Sequence, residues 1–208
     1  MARTRSQGYD SVKQAIIDNA AKLFATKGFP STSINEIAES AGLSKAGVYH
    51  YFDSKSEILR AMLTEHLETV TEIVDTALNT SEPPRAKFLA FTRMLVESYT
   101  RAASRNQHVV LMSDIDALQP KDREFVVATE RRIIRAIERL LESIHPPLKD
   151  HPDFSRPLTM LFFGMINWTD NWYSEKGRLA PVELATLAAE LFLNGLEHTD
   201  YSGIQKPA

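Results

Sequence analysis

The chain contains 208 residues, of which 43% are hydrophobic and 25% are charged, and it carries a formal net charge of −3. This balance supports a sizeable core and excludes an intrinsically disordered or collagen-like chain. The absence of cysteine excludes disulfides, thiolate nucleophiles, iron–sulfur clusters and thiolate zinc sites, and it favours a reducing compartment.

Neither export nor membrane insertion is predicted. The N-terminal MARTRSQGYD is followed by no apolar run of signal-peptide type. The longest apolar candidate, Leu158–Trp168, is interrupted by Thr159, Gly164 and Asn167 and falls short of the roughly 18 residues of a spanning helix. We therefore expect a cytoplasmic protein.

Charge differs along the chain. Residues 1–53 contain six basic and five acidic side chains, whereas the remainder contains 18 basic and 22 acidic side chains. A slightly basic N-terminal part is compatible with nucleic-acid binding, but the excess is too small to argue for it unaided.

Apolar residues recur at helical spacing and strand-like alternation is almost absent, which predicts an all-α fold. The first helix is expected from about Ser11 to Lys27, with Gly28 and Pro30 ending it. Its apolar stripe consists of Val12, Ile16, Ala20, Leu23 and Phe24.

Two short helices follow. Ser33 and Glu36 have the spacing of a capping box at the start of the second helix. Ser44 is a suitable N-cap for a third helix that ends near Tyr51. Asp53 and Ser54 then precede a long, apolar-periodic fourth helix that runs to about Asn79.

The remaining segments are also predicted to be helical, with breaks at residues 79–84, 119–120 and 145–147. Apolar residues from Phe88 to Ala102 share one face, and those from Val126 to Ile144 share another. The last two helices are expected at about Pro157–Glu175 and Pro181–Leu196, and Trp172 is placed in the stripe of the former.

The most informative segment is Ile34–Phe52, INEIAESAGLSKAGVYHYF. Small residues allow its two helices to cross closely, and Gly42 permits a positive φ in the turn between them. The third helix then buries Val48 and exposes Lys45, Ala46, Tyr49 and His50. Such a helix fits the major groove of B-DNA, which is about 12 Å wide.

An ordinary helical corner is the alternative interpretation of this spacing. The outer face of the third helix favours DNA, because no carboxylate occurs between Ser44 and Phe52 and Lys55 follows shortly after.

The stretch from Ala20 to Leu59, which includes KLFATKGFPSTSINEIAESAGLSKAGVYHYFDSKSEIL, resembles the signature of the TetR family of transcriptional regulators. The resemblance implies a three-helix helix-turn-helix DNA-binding head, residues 1–53, on a larger helical body for ligand binding and dimerisation, residues 54–208. It implies a homodimeric repressor that binds a palindromic operator. The DNA-contacting positions that it implies are Thr32, Ser33, Ser44, Lys45, Gly47, Tyr49, His50, Tyr51 and Lys55. Arg3 and Arg5 are candidates for an arm toward the minor groove.

The last two helices are candidates for the subunit contact, since they carry wide apolar stripes and small residues. The residues assigned to the contact are Met165, Trp172, Leu191, Phe192, Gly195 and Leu196. Leu158 and Leu161 are assigned instead to the core of the single chain.

Family regulators sense a small molecule in the body. The candidate ligand-binding residues are Phe88, Phe91, Leu95, Tyr99, Met112, Phe125, Phe163, Asn167 and Trp168, although aromatic stripes at helical spacing are also typical of plain core. Residues 162–196 resemble the acyl-CoA-responsive subgroup, which implies an acyl-CoA ester as effector. Two arginine rows could meet its phosphates or simply face solvent: Arg131, Arg135 and Arg139, and Arg93, Arg101 and Arg105.

Other functions remain open. The protein could be a drug-responsive repressor of an efflux pump or a ligand-independent DNA-binding protein. An enzyme is not expected, because the sequence has no phosphate-cradling glycine loop, nucleophile elbow or zinc-type histidine pair. No cofactor or metal is expected.

Overall fold

The computed structural model describes residues 2–174 and 176–199, with side chains from Gly8 onward apart from residue 170. Over these residues the chain is helical and contains no strand. The α-helices are α1 (Ala2–Lys27), α2 (Ile34–Ser40), α3 (Lys45–Tyr49), α4 (Lys55–Leu78), α5 (Pro84–Thr100), α6 (Ala102–Asp114), α7 (Pro120–Ile144), α8 (Pro152–Asn167) and α9 (Pro181–His198). Short 3₁₀ helices occupy Ile115–Ala117, Pro146–Asp150 and Trp168–Asn171. The all-α prediction is confirmed.

The helices divide into two compact units. The first unit contains the residues up to Thr69 together with Arg101–Thr129, and the second contains Val70–Thr100 and the residues from Glu130 onward. The predicted division at residue 53 concerns function, and it stays a prediction.

The first unit is built on α1. This helix begins at Ala2, well before the predicted start at Ser11, and ends at Lys27 as expected. Gly28 has a φ of +81° and its N–H donates to the Phe24 carbonyl at 2.8 Å, which closes the helix. The buried residues of α1 pack with those of α2, α3 and α4 in a core that includes Ile16, Ala20, Phe24, Ile37, Val48, Phe52, Ile58, Leu59 and Met62.

Three helices of the first unit meet at Glu65 of α4. Its carboxylate accepts hydrogen bonds from Gln14 of α1 at 2.9 Å and from Gln107 of α6 at 3.3 Å. Beside it, the rings of His66 and His108 lie 5.5 Å apart. Burial, and secondarily the proximity of His108, lowers the pKa of His66 to about 3, and burial lowers the pKa of His108 to about 4. Both rings are therefore neutral at neutral pH.

The second unit has an aromatic core shared by α5, α8 and α9. Phe88 of α5 contacts Phe162 of α8, with ring centroids 4.7 Å apart, and stacks on Phe192 of α9 at 5.8 Å.

On the surface, Arg85 of α5 forms ion pairs with two carboxylates of α9. Its Nη2 lies 2.6 Å from Glu190 and its Nη1 lies 2.6 Å from Glu197.

Two predicted helix boundaries are wrong. The single helical face predicted from Phe88 to Ala102 is interrupted at Arg101, which is extended, with φ −76° and ψ 127°. The helix predicted from Pro157 begins at Pro152, holds Pro157 in its interior and ends at Asn167. Trp172 therefore lies beyond α8 and does not share its face.

Across the described ranges, no helix combines the length and the apolar character that crossing a bilayer requires.

Candidate nucleic-acid interface

The start of α2 is fixed by a reciprocal capping box. Ser33 is extended, its hydroxyl oxygen accepts from the Glu36 N–H at 3.2 Å, and the Glu36 carboxylate accepts from the Ser33 N–H at 2.8 Å. Lys27 adds an ion pair to Glu36 at 2.7 Å. The hydrogen bond from Lys27, together with those from Ser33, lowers the pKa of Glu36 to about 2. The cap is therefore ionised throughout the neutral range.

Gly42 makes the turn from α2 to α3. Its φ of +68° lies in the left-handed region, which glycine enters without the steric cost of a Cβ atom. Leu43 then donates to the Ala38 carbonyl at 2.8 Å. Ser44 caps α3 by accepting from the Gly47 N–H at 3.0 Å. The two predicted caps and the predicted glycine turn are confirmed.

The two faces of α3 have opposite character. Val48 is fully buried and holds the helix to the core, whereas Lys45, Ala46, Tyr49 and His50 are exposed. The exposed side of this short helix carries one cation, an aromatic hydroxyl and an imidazole, with no carboxylate to repel phosphate.

Tyr51 follows α3 and is partly covered by α1. Its ring lies 4.6 Å from that of Tyr9 and 5.2 Å from that of His50. The contact with Tyr9 was not predicted, because Tyr9 lies before the predicted start of α1. Its only sequence signal is an aromatic residue in an otherwise polar segment.

Lys55, the first residue of α4, is held by the turn between α1 and α2. Its ammonium donates to the carbonyls of Phe29 and Thr32, both at 2.6 Å, and lies 3.4 Å from that of Pro30. It also lies 4.3 Å from the centroid of the Phe29 ring. Since an ammonium has three donors, these carbonyls engage it fully in the free protein. A phosphate contact by Lys55 stays a prediction.

The predicted DNA-binding residues thus fall into different environments. Ser33, Ser44, Lys45, Tyr49 and His50 are exposed, while Gly47, Tyr51 and Lys55 are half-buried. Thr32 is only 2% exposed, and its hydroxyl donates to the Gly28 carbonyl at 3.0 Å. Its side chain leaves no surface for a nucleic-acid contact, contrary to the prediction. The side chains of Arg3 and Arg5 lie outside the described residues.

The predicted ligand residues do not share one environment either. Met112 and Phe125 belong to the first unit, and each is 54% exposed. The others belong to the second unit, where Trp168 is exposed and Asn167 is half-buried. The remaining five are buried: Phe88, Phe91, Leu95, Tyr99 and Phe163. The assignment of all nine to a ligand site stays a prediction.

The residues assigned to the subunit contact need revision. Leu191 is 63% exposed, and Met165, Trp172 and Gly195 are exposed as well. Leu196 is 2% exposed and therefore packs within its own chain, contrary to the prediction. Phe192 is half-buried against Phe88.

Leu161 requires the opposite correction. It was predicted to lie in the core of the single chain, but it is 67% exposed. Leu158, which received the same assignment, is half-buried.

Two short, capped helices with a buried rear face and a carboxylate-free outer face define a helix-turn-helix DNA-binding regulator. Residues 16–62 match the family described as bacterial regulatory proteins, tetR family, and residues 81–196 match the tetracyclin repressor-like C-terminal domain. The chain belongs to the TetR family, as a transcriptional repressor and not an enzyme.

Similar proteins agree with this assignment. The HTH-type transcriptional repressor KstR2 of Rhodococcus jostii is 35% identical over 199 residues, covering 92% of this chain and 94% of the relative. A TetR-family regulator from Bordetella parapertussis is 36% identical with a TM-score of 0.84, covering 94% of this chain and 98% of that one. AibR, solved with isovaleryl coenzyme A and operator DNA, is 23% identical with a TM-score of 0.75, covering 86% and 97%.

Proposed function

We propose that this repressor binds a palindromic operator as a homodimer, with α3 of each subunit in the major groove, and that a small hydrophobic acyl-CoA ester releases it. The observation that carries the DNA-binding part is the outer face of α3. Val48 fixes the helix from behind while Lys45, Tyr49 and His50 project to solvent.

The exposed residues have complementary roles in this proposal. Lys45 reaches a phosphate or a guanine edge, Tyr49 a phosphate or a thymine methyl, and His50 a phosphate. Gly47 lets the backbone of α3 approach the groove closely. Ser33 and Ser44 are exposed at the starts of α2 and α3, and in this proposal they face the DNA backbone.

The exposed apolar faces of α8 and α9 support the homodimer. Leu187, Leu191 and Gly195 are spaced i, i+4 and i+8 on α9, and all three are exposed. On α8, Leu161 and Met165 are exposed at the same spacing. Among the described residues, apart from the adjoining backbone of the same helix, no atom lies within 4 Å of the position that a Cβ would take at Gly164 or Gly195, so a second subunit could approach the helices closely.

In this dimer the last two helices of each subunit form a four-helix bundle. Its two-fold symmetry places the two α3 helices about 34–36 Å apart, which is one turn of B-DNA. A palindromic operator follows from that symmetry. Trp172 is exposed beyond α8 and remains a candidate for the edge of this contact.

The acyl-CoA part rests on two weaker supports. Residues 162–196 resemble the acyl-CoA-responsive subgroup, and AibR, which shares the fold, was solved with isovaleryl coenzyme A. Complete release requires the effector to prefer the non-binding state strongly. Shifting occupancy from 99:1 to 1:99 takes about 5.5 kcal/mol of differential affinity.

Operator binding is tested by selecting duplexes from a random-sequence library on the purified full-length chain. We expect a palindromic consensus, and fluorescence anisotropy should give a linear fall of log affinity with log salt. Failure to enrich any sequence would overturn the DNA-reading role.

The effector is tested on that selected duplex. Isovaleryl-CoA and longer acyl-CoA esters should raise the melting temperature of the protein and release the DNA, whereas free coenzyme A should do neither. Release by lipophilic cations alone would favour the drug-responsive alternative. If neither class stabilises the protein or releases the DNA, the result would favour a ligand-independent DNA-binding protein.

A further inference from the structure

Phe29, in the turn that leads into α2, has side-chain partners for both its backbone carbonyl and its backbone N–H. Its carbonyl accepts from the Lys55 ammonium at 2.6 Å, and its N–H donates to the Asp114 carboxylate at 3.3 Å. Its ring packs against that of Phe24, with centroids 5.2 Å apart. The residue is therefore anchored through its N–H, its carbonyl and its side chain.

The Phe29 N–H has no acceptor in its own helix. Gly28 closes α1 by donating to the Phe24 carbonyl, as in the αL motif, and that motif leaves the next N–H, that of Phe29, without a partner in α1. Its acceptor is instead Asp114, 85 residues further along the chain.

Asp114 is poorly placed for the stability of its own helix. It is the last residue of α6, where a carboxylate faces the negative end of the helix dipole. Its carboxylate also accepts from the neighbouring Ser113 hydroxyl at 3.3 Å. Capping of α6 therefore gives no reason for an aspartate at position 114. The hydrogen bond that its carboxylate accepts from the Phe29 N–H does give one.

The turn held in this way determines where α2 begins. Ser33, the N-cap of α2, comes directly after Thr32, whose carbonyl also accepts from Lys55 at 2.6 Å. From α2 the chain passes through Gly42 into α3. A change in the turn therefore changes the placement of α3 without altering any side chain of α3.

We propose that Asp114 is a positioning residue for DNA binding: by holding the Phe29 N–H, it ties the start of the helix-turn-helix to the C-terminal end of α6. Asp114 does not touch DNA in this role. The inference rests on the proposed reading of DNA by α3 and adds a residue outside residues 1–53 to the machinery.

Asp114→Ala and Asp114→Asn form the matched pair that tests it. Both remove the charge, but only Asn keeps an oxygen that can accept from Phe29. With the duplex selected by the wild type, Asp114→Ala should lose about tenfold in affinity and Asp114→Asn about two- to threefold. Binding to a random duplex and the salt slope should not fall, because no phosphate contact is removed.

Amide hydrogen exchange gives a direct readout of the contact. The Phe29 amide should exchange faster in Asp114→Ala, and to a smaller extent in Asp114→Asn. Asp116→Ala is the control, since this exposed acid pairs with Arg123 and should leave both readouts unchanged.

Equal operator affinity in the Ala and Asn variants would overturn the proposal, as would unchanged exchange at Phe29. If Asp114→Ala does not fold, Asp114→Asn decides, and wild-type values for both readouts would overturn it. Failure of the wild type to select any duplex would instead refute the proposed function.

Discussion

Two explanations can account for Lys55, the cation at the start of α4. If its ammonium anchors the turn between α1 and α2, its loss destabilises the fold. If it serves only as a phosphate contact, its loss weakens DNA binding and leaves the fold intact. Lys55→Met keeps most of the aliphatic stem and removes the charge, so it distinguishes the two.

The size of the effect follows from the contacts. Two hydrogen bonds of 2.6 Å join the ammonium to the carbonyls of Phe29 and Thr32, and the Phe29 ring lies 4.3 Å away. A hydrogen bond to a charged group contributes about 1.5–3 kcal/mol and a cation–π contact about 0.5–1 kcal/mol. Because Lys55 is half-buried, water can replace part of these contacts. We expect Lys55→Met to lower the free energy of unfolding by about 2–3 kcal/mol.

Urea unfolding followed by circular dichroism measures this change, with operator binding over a salt series alongside it. Lys45→Met is the matched control, because Lys45 is exposed on α3. It should leave stability within about 0.5 kcal/mol and reduce the salt slope by about 0.9. Unchanged stability in Lys55→Met, with a slope reduced by about 0.9, would refute the anchoring role.

Four further predictions concern other parts of the chain. Lys45→Ala should weaken operator binding and relax base preference, as anisotropy with single-base operator variants would show. Leu191→Glu should convert the dimer to a monomer in light scattering, because it places a charge in the proposed apolar contact. Gly42→Ala should cost about 1–2 kcal/mol of unfolding free energy in urea, because the φ of +68° is strained for a residue with a Cβ. Replacing His66 and His108 together by Leu should flatten the pH dependence of stability below pH about 6.5, which urea titrations at several pH values would measure.

The sign of the histidine effect follows from proton linkage. Both pKa values are lower in the folded protein, about 3 and about 4, than the ordinary value of 6.5. The unfolded chain therefore binds more protons below pH about 6.5, and stability falls as the pH drops toward 4. Two such groups contribute a slope of up to about 3 kcal/mol per pH unit. An identical pH profile in the Leu variant would contradict this reasoning.

Two of these substitutions, Leu191→Glu and Lys45→Ala, have matched controls. Thr186→Glu adds the same charge to α9 beside the proposed contact stripe and should stay dimeric. Lys149→Ala removes an exposed cation from the second unit and should leave base preference unchanged. A monomeric Thr186→Glu or a dimeric Leu191→Glu would contradict the assigned face.

Local chemistry made the helix-turn-helix predictable. Ser33, Glu36 and Ser44 bind backbone N–H groups three residues away, and Gly42 adopts the positive φ that the turn requires at its own position. Such effects depend on neighbours in the sequence, so spacing alone reveals them.

Contacts between distant residues were not predictable. Lys55 and Asp114 reach the turn at Phe29 from 26 and 85 residues away, and Arg101 interrupts a helix without a glycine or proline to mark the break. Periodicity also gave the wrong environment for Leu161, which is exposed, and for Leu196, which is buried. A wide apolar stripe does not reveal which of its edges faces the same chain and which faces outward.

The fork of Arg85 has a consequence for the proposed dimer. Glu190 and Glu197 lie two helical turns apart, so one guanidinium grips α9 at both points, each at 2.6 Å. A roll of α9 about its long axis would break at least one of these grips. The rotation of α9 that directs Leu187 and Leu191 toward a second subunit is thus fixed by Arg85, a cation outside the contact itself. Salt screens such ion pairs and should weaken this restraint.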